Sequence, residues 1–158
     1  MSVVKPDRRP AREKTLGELE GVTWGPPTYS SNLVQTCHRL RTKPVGEYDT
    51  EDLRVMIGQN IGLPWLLPLA IDRLEEDPWL SGDLYPGDLL AVAARAKFDW
   101  TTLVDLRDRL RAVIARALAE MSAAPDDGEA HLHDPELPAG KAAVTFAAEL
   151  RAALERLD

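Results

Sequence analysis

Residues 51–96 read EDLRVMIGQNIGLPWLLPLAIDRLEEDPWLSGDLYPGDLLAVAARA, and this stretch decides the fold. It carries the longest apolar-periodic runs in the chain, two of its four Trp, and two turns built from Gly, Pro and Asp. Asp49 or Thr50 stands where a cap is needed, and the helix it opens runs to about Asn60 with Leu53, Met56 and Ile57 on one face. Gly58 inside that helix costs about 1 kcal/mol against Ala, so the close approach of a neighbouring helix is expected there. The amides of Gln59 and Asn60 are placed to bridge to the next loop. Gly62 closes the helix and Pro64 sits near the first turn of the next one. The residues that follow, from Trp65 to Ile71, are apolar nearly all round, which predicts the central and most buried helix. Pro68 is tolerable only in a first turn; elsewhere it kinks the helix.

The last turn of that helix is acidic. Glu75, Glu76 and Asp77 sit at a C-terminus, where the helix dipole disfavours them. The mismatch marks a candidate acidic surface, although like-charged clusters on solvated faces are common. The second turn, residues 81–88, reads SGDLYPGD. Pro86 is expected as the first residue of a helix reaching about Ala96, with Asp83 and Asp88 in capping roles. A calcium loop needs more oxygen ligands at tighter, alternating spacing, and no His accompanies the pair.

Outward toward the N-terminus, TLGELEG (15–21) has Thr15 as a cap, Glu18 three residues on and Gly21 as a stop. Trp24 is expected as a lid over the core, followed by the breaker Gly25-Pro26-Pro27. In NLVQTCHRLR (32–41), helical spacing predicts burial of Leu33, Val34, Cys37 and Leu40. Cys37 beside His38 suggests a nucleophile, but adjacent helix positions do not face each other. Cys37 lies on the apolar stripe and reads as a small buried hydrophobe. Residues 1–14 hold two Pro and scattered charge, and read as a disordered basic arm of net charge +3.

Outward toward the C-terminus, Asp99 is expected to cap a long amphipathic helix from Trp100 to about Met121. Its outer face, Asp105, Arg107, Asp108, Arg109 and Arg111, reads as a solvated salt-bridge face. Residues 122–140 form a flexible loop in which His131, His133 and Asp134 look like ligands. A zinc site needs three or four ligands and a supporting shell, so no metal site is assigned. Residues 141–158 form a last helix packing back on the bundle, with Val144, Ala147, Ala148, Leu150 (or Arg151) and Leu154 inward.

At 158 residues the chain suits one domain with its own core. Leu and Ala outnumber the aromatics, which favours helix. The fold class is all-α: a single-domain bundle of about six or seven helices, with residues 15–121 as its main body. One Cys excludes an internal disulfide. The start lacks the apolar core of a signal peptide, and no apolar run approaches the ~20 residues of a membrane helix. A cytoplasmic protein with no membrane association is expected. The net charge of −7 repels nucleic acid and favours basic partners. No nucleophile, base and orienting group stand together, and no cofactor motif is present, so the reading is a non-enzyme.

The phrases LRVMIGQNIGLPWLLPLA (53–70) and GDLYPGDLLAV (82–92), with TCHRLRTKP (36–44) and TLGELEGVTW (15–24) upstream, resemble the immunity proteins of contact-dependent growth inhibition systems, actinobacterial type. The likeness spans roughly residues 15–100 and rests on the order and spacing of the phrases. It implies a protein that binds and neutralises the toxin domain of a cognate effector. Many such toxins are nucleases with a basic groove, which an acidic patch would suit. The resemblance assigns no contact residues. Charge and position nominate Glu75, Glu76, Asp77, Asp83 and Asp88, with Trp79 and Tyr85 as aromatic anchors. A helical adaptor or scaffold subunit, or a metal-dependent hydrolase using His131 and His133, are the alternatives; oligomeric state is left open.

Overall fold

The computed structural model describes residues 12–28, 31–123 and 141–158. Seven α-helices follow in chain order among these residues: α1 Leu16–Glu20, α2 Asn32–Leu40, α3 Thr50–Gly58, α4 Leu63–Glu76, α5 Asp88–Arg95, α6 Val104–Ala123 and α7 Lys141–Leu157. The described residues contain no strand beyond one isolated bridge between Ser81 and Pro86. The protein is therefore all-α, as the apolar periodicity requires.

The caps form as the residues dictate. Thr15 and Glu18 make a reciprocal capping box on α1, and Gly21 ends it. Ser31 caps α2 through the Val34 N–H, and Asp49 pairs with Asp52 in a second capping box on α3. Gly62 starts α4 at φ 66°, a left-handed conformation that side chains resist. A Cβ there would also lie 2.8 and 2.9 Å from the two methyls of Leu16, so both backbone and packing require glycine. Asn60 accepts from the Lys97 N–H at 2.8 Å, which ties the end of α3 to the segment after α5.

The core is shared differently from the expectation. Leu66, Leu67, Leu69, Ala70, Ile71 and Leu74 of α4 are buried, but Pro64 is exposed and Trp65 half-buried. In α5 every residue from Asp88 to Ala94 is buried, and α5 touches α3, α4, α6 and α7. Its alanines at 91, 93 and 94 let neighbours approach on all sides, so α5 takes the central place. Pro68 lies past the first turn of α4 and is buried, which leaves the exposed Pro64 without its helical donor.

Gly58 does approach α5, but loosely. An added Cβ would meet Val92 Cγ1 at 3.5 Å, an ordinary contact. Gly58→Ala is therefore expected to stabilise the fold by about 0.5–1 kcal/mol, raising Tm by roughly 2–4 °C in a thermal melt.

Four helix expectations are corrected. Asp99 caps a short 3-10 turn, Trp100–Thr102, and not the long helix. Leu103 breaks the run, and its carbonyl accepts the first α6 bond from Arg107 N at 3.0 Å. The break lets Trp100 meet Phe98 edge to face at 5.0 Å. Leu33 is exposed, because the α2 stripe enters the core only at Cys37 and Leu40. In α7 the buried stripe is Phe146, Leu150, Ala153 and Leu157, at i, i+4, i+7 and i+11, with Ala147 beside it. Phe146 sets this rotation by docking against Trp79 and Tyr85. Val144, about 200° away around the helix, and Ala148 point outward. Finally, α5 starts at Asp88 after Gly87, not at Pro86, because Pro86 is held in the bridge with Ser81.

The outer face of α6 also does more than meet solvent. Arg109 reaches α4, binding both Asp72 (2.5 Å) and Glu75, and Arg111 binds Asp158 at the end of the chain. The expected arm is described only from Arg12, where Arg12 and Lys14 carbonyls accept from Gly46 and Val45 N–H at 2.9 Å. Residues 1–11 and 124–140, with His131, His133 and Asp134, lie outside the described residues.

Candidate functional site

The turn between α4 and α5 is built around one carboxylate. Asp88 is 1% exposed, in the first turn of α5. Its Oδ1 accepts from Gly82 N at 2.6 Å, and its Oδ2 from Leu84 N at 3.1 Å and Tyr85 N at 3.4 Å. Arg54 Nε of α3 lies 3.8 Å from Oδ2. A buried charge is tolerable only with such partners. Asp88 therefore pins the loop and does not cap a helix. Asp83 does not cap either; its backbone N–H donates to Glu51 Oε2 at 2.8 Å. Arg54 binds the same Glu51 at 2.6 Å through Nε and holds that carboxyl below its ordinary range, against the opposing effect of burial. Gly87, at φ 89°, closes the turn by donating to Trp79 O at 3.1 Å.

The turn thus has fixed feet and a free tip. Leu84 is 63% exposed, and Asp83 and Tyr85 are exposed beside it. The Tyr85 ring meets Phe146 of α7 edge-on at 6.4 Å.

The acidic end of α4 is less free than its sequence suggests. Glu75 binds Arg109, and Arg116 Nη1 donates to the Glu75 carbonyl at 3.0 Å. These α6 cations offset the unfavourable dipole that the sequence alone leaves unanswered. Glu76 is exposed and lines a small cavity of about 150 Å³ with Arg12 and Arg73. Asp77 accepts from Trp79 N at 2.9 Å. Trp79 is only 5% exposed; its Nε1 donates to Glu120 at 2.5 Å and its ring packs against Phe146 at 5.9 Å.

Of the seven nominated residues, then, Asp83, Tyr85 and Asp88 share one turn, and Glu75, Glu76 and Asp77 share the end of α4. Trp79 joins the two from inside. Glu75, Glu76, Asp83 and Tyr85 are exposed, whereas Trp79 and Asp88 are buried. Sequence reasoning missed Glu51 and Arg54, although their i, i+3 spacing on α3 was a visible sign. Nothing local to Glu120 announces its bond to Trp79, 41 residues away.

A second feature lies around Trp24. Trp24 does not cover the core. It stacks on Arg41, whose guanidinium carbon lies 4.1 Å from the ring centre, and meets His38 edge-on at 4.9 Å. Arg41 is buried and donates to Glu20 at 3.0 Å and to the Val22 carbonyl at 2.9 Å. An open cleft of about 480 Å³ results, lined by Glu18, Val22, Trp24, His38 and Thr42 among others. Cys37 behind it is buried, and burial pushes its thiol up, away from the thiolate a nucleophile needs. Among the described residues no trio of His, Cys, Asp or Glu is placed to hold a metal ion.

The family model of the CDI immunity proteins, those of contact-dependent growth inhibition, matches residues 18–113, more than half the chain. The chain belongs to the CDI immunity proteins. The match holds both the pinned turn and most of the Trp24 cleft of this immunity protein, and it ends within α6 before α7 begins. Comparison with curated proteins and with solved structures returns no match. No helix among the immunity protein's described residues is long and apolar enough to cross a membrane.

Proposed function

We propose that this immunity protein binds the toxin domain of its cognate effector inside the producing cell and neutralises it by occlusion, with no bond made or broken. The reading is carried by the exposed Leu84 and Tyr85 on a turn whose backbone is already fixed by Asp88 and Glu51, in a chain of this family. A preformed tip pays little ordering entropy on docking. Glu76 and Asp83 add exposed negative charge, which would steer a toxin with a basic groove, such as a nuclease, toward this face.

The test is co-expression with the C-terminal toxin domain encoded beside its gene. Wild type is expected to restore growth. The combined variant Glu76→Lys, Asp83→Lys, Leu84→Ala, Tyr85→Ala changes only exposed side chains. It should still fold, losing about 1 kcal/mol with the Tyr85–Phe146 ring contact, and weaken toxin binding by at least ~100-fold in calorimetry, the sum of two modest hot spots and lost steering. Wild-type affinity in this variant would place the interface elsewhere, and failure of wild type to protect would remove the immunity reading for this toxin.

A further inference from the structure

The Trp24 cleft lies outside the turn just described and has the chemistry of a side-chain receptor. Its walls offer apolar surface: Val22 is 50% exposed and Trp24 38%. Its volume of about 480 Å³ is in the range of pockets that enclose a small ligand. Arg41, the one Lys or Arg among the described lining residues, is buried and bonded to Glu20 and the Val22 carbonyl. The accessible charge is the Glu18 carboxylate, exposed at the rim. Its Oε1 accepts from Thr15 N at 3.3 Å, one half of the capping box, and from Thr15 Oγ1 at 3.1 Å. Among the described residues Oε2 takes no hydrogen bond.

We propose that this cleft receives one basic side chain of the toxin, an arginine or lysine, with its stem on Val22 and Trp24 and its charge on Glu18. The inference rests on the immunity reading and extends it to a second contact point. The occupant follows from complementarity. A long side chain with an apolar stem and cationic head matches an apolar wall ending at a carboxylate, on a chain of net charge −7. A carboxylate would meet Glu18 instead; Arg41 also lines the cleft, but its guanidinium is buried and already bonded to Glu20 and the Val22 carbonyl.

Titration calorimetry with the neighbouring toxin domain tests it. Val22→Arg fills the cleft with like charge and changes a side chain that makes no internal bond. It should weaken binding at least tenfold with an unchanged Tm. Glu18→Gln keeps the capping acceptor and removes the charge, and should weaken binding severalfold and flatten its salt dependence. Wild-type affinity in both variants overturns the cleft while leaving immunity standing. Absence of binding by wild type overturns the immunity reading and the cleft with it.

Discussion

Trp79→Ala is expected to destabilise the protein by about 3–5 kcal/mol in urea unfolding. Total stabilities of such domains are about 5–15 kcal/mol, so the variant should be close to unfolding at growth temperature. The size of the effect follows from position. Trp79 is the point where the turn after α4, the far end of α6 and the start of α7 meet: its indole N–H goes to Glu120 and its ring to Phe146. Gly87 passes so close that even a Cβ there would sit 3.3 Å from the indole. Removing the ring opens a cavity that three elements border and none can fill alone. Trp79→Phe should cost far less, on the order of 1–2 kcal/mol, since it keeps the apolar contact and loses the hydrogen bond. Equal losses for the two variants would show that the Glu120 bond, and not packing, is what matters.

Asp88→Ala should cost about 2–4 kcal/mol, because one substitution leaves three backbone N–H groups without their acceptor and removes the carboxylate 3.8 Å from Arg54, which keeps Glu51. Asp88→Asn keeps the shape but turns an NH2 group toward donors, so it should recover only part of the loss. The variants also separate stability from recognition. In Asp88→Ala the Leu84 tip remains but its feet are gone, so toxin affinity should fall more than the population of folded protein explains. Affinity that tracks the folded fraction alone would mean the turn needs no preorganisation.

The helices were largely legible because their signals are local. Thr15 with Glu18, Ser31, and Gly62 before Pro64 mark ends by chemistry that acts within four residues. Rotation of the helices was less legible, since it is set by distant rings. Val144 and Phe146 are both apolar, and only the position of Trp79 and Tyr85 decides which faces in. The break at Leu103 was hidden for the same reason, the Phe98–Trp100 contact having no periodic signature. At the candidate site, the acidic residues were visible but their partners on α6 were not. The sequence therefore overstated how much free charge Glu75 presents. Asp88 was noticed as a carboxylate in a turn, yet its burial depends on α3, which supplies Glu51 and Arg54 from more than thirty residues upstream.

The shortest helix has a consequence of its own. Five residues are far too few to nucleate a helix unaided, since isolated helices are marginal below about 12–15 residues. Besides the buried Leu16 and the partly buried Leu19, α1 and the run to Trp24 are held mainly through Arg41, which clasps Glu20 and the Val22 carbonyl and stacks on Trp24. Amide protons there should exchange with solvent through partial opening, well before those of α4 and α5, which wait for the whole molecule to unfold. A toxin that seats itself against this segment would slow that exchange, so the least supported corner of the bundle is also its most sensitive reporter of capture.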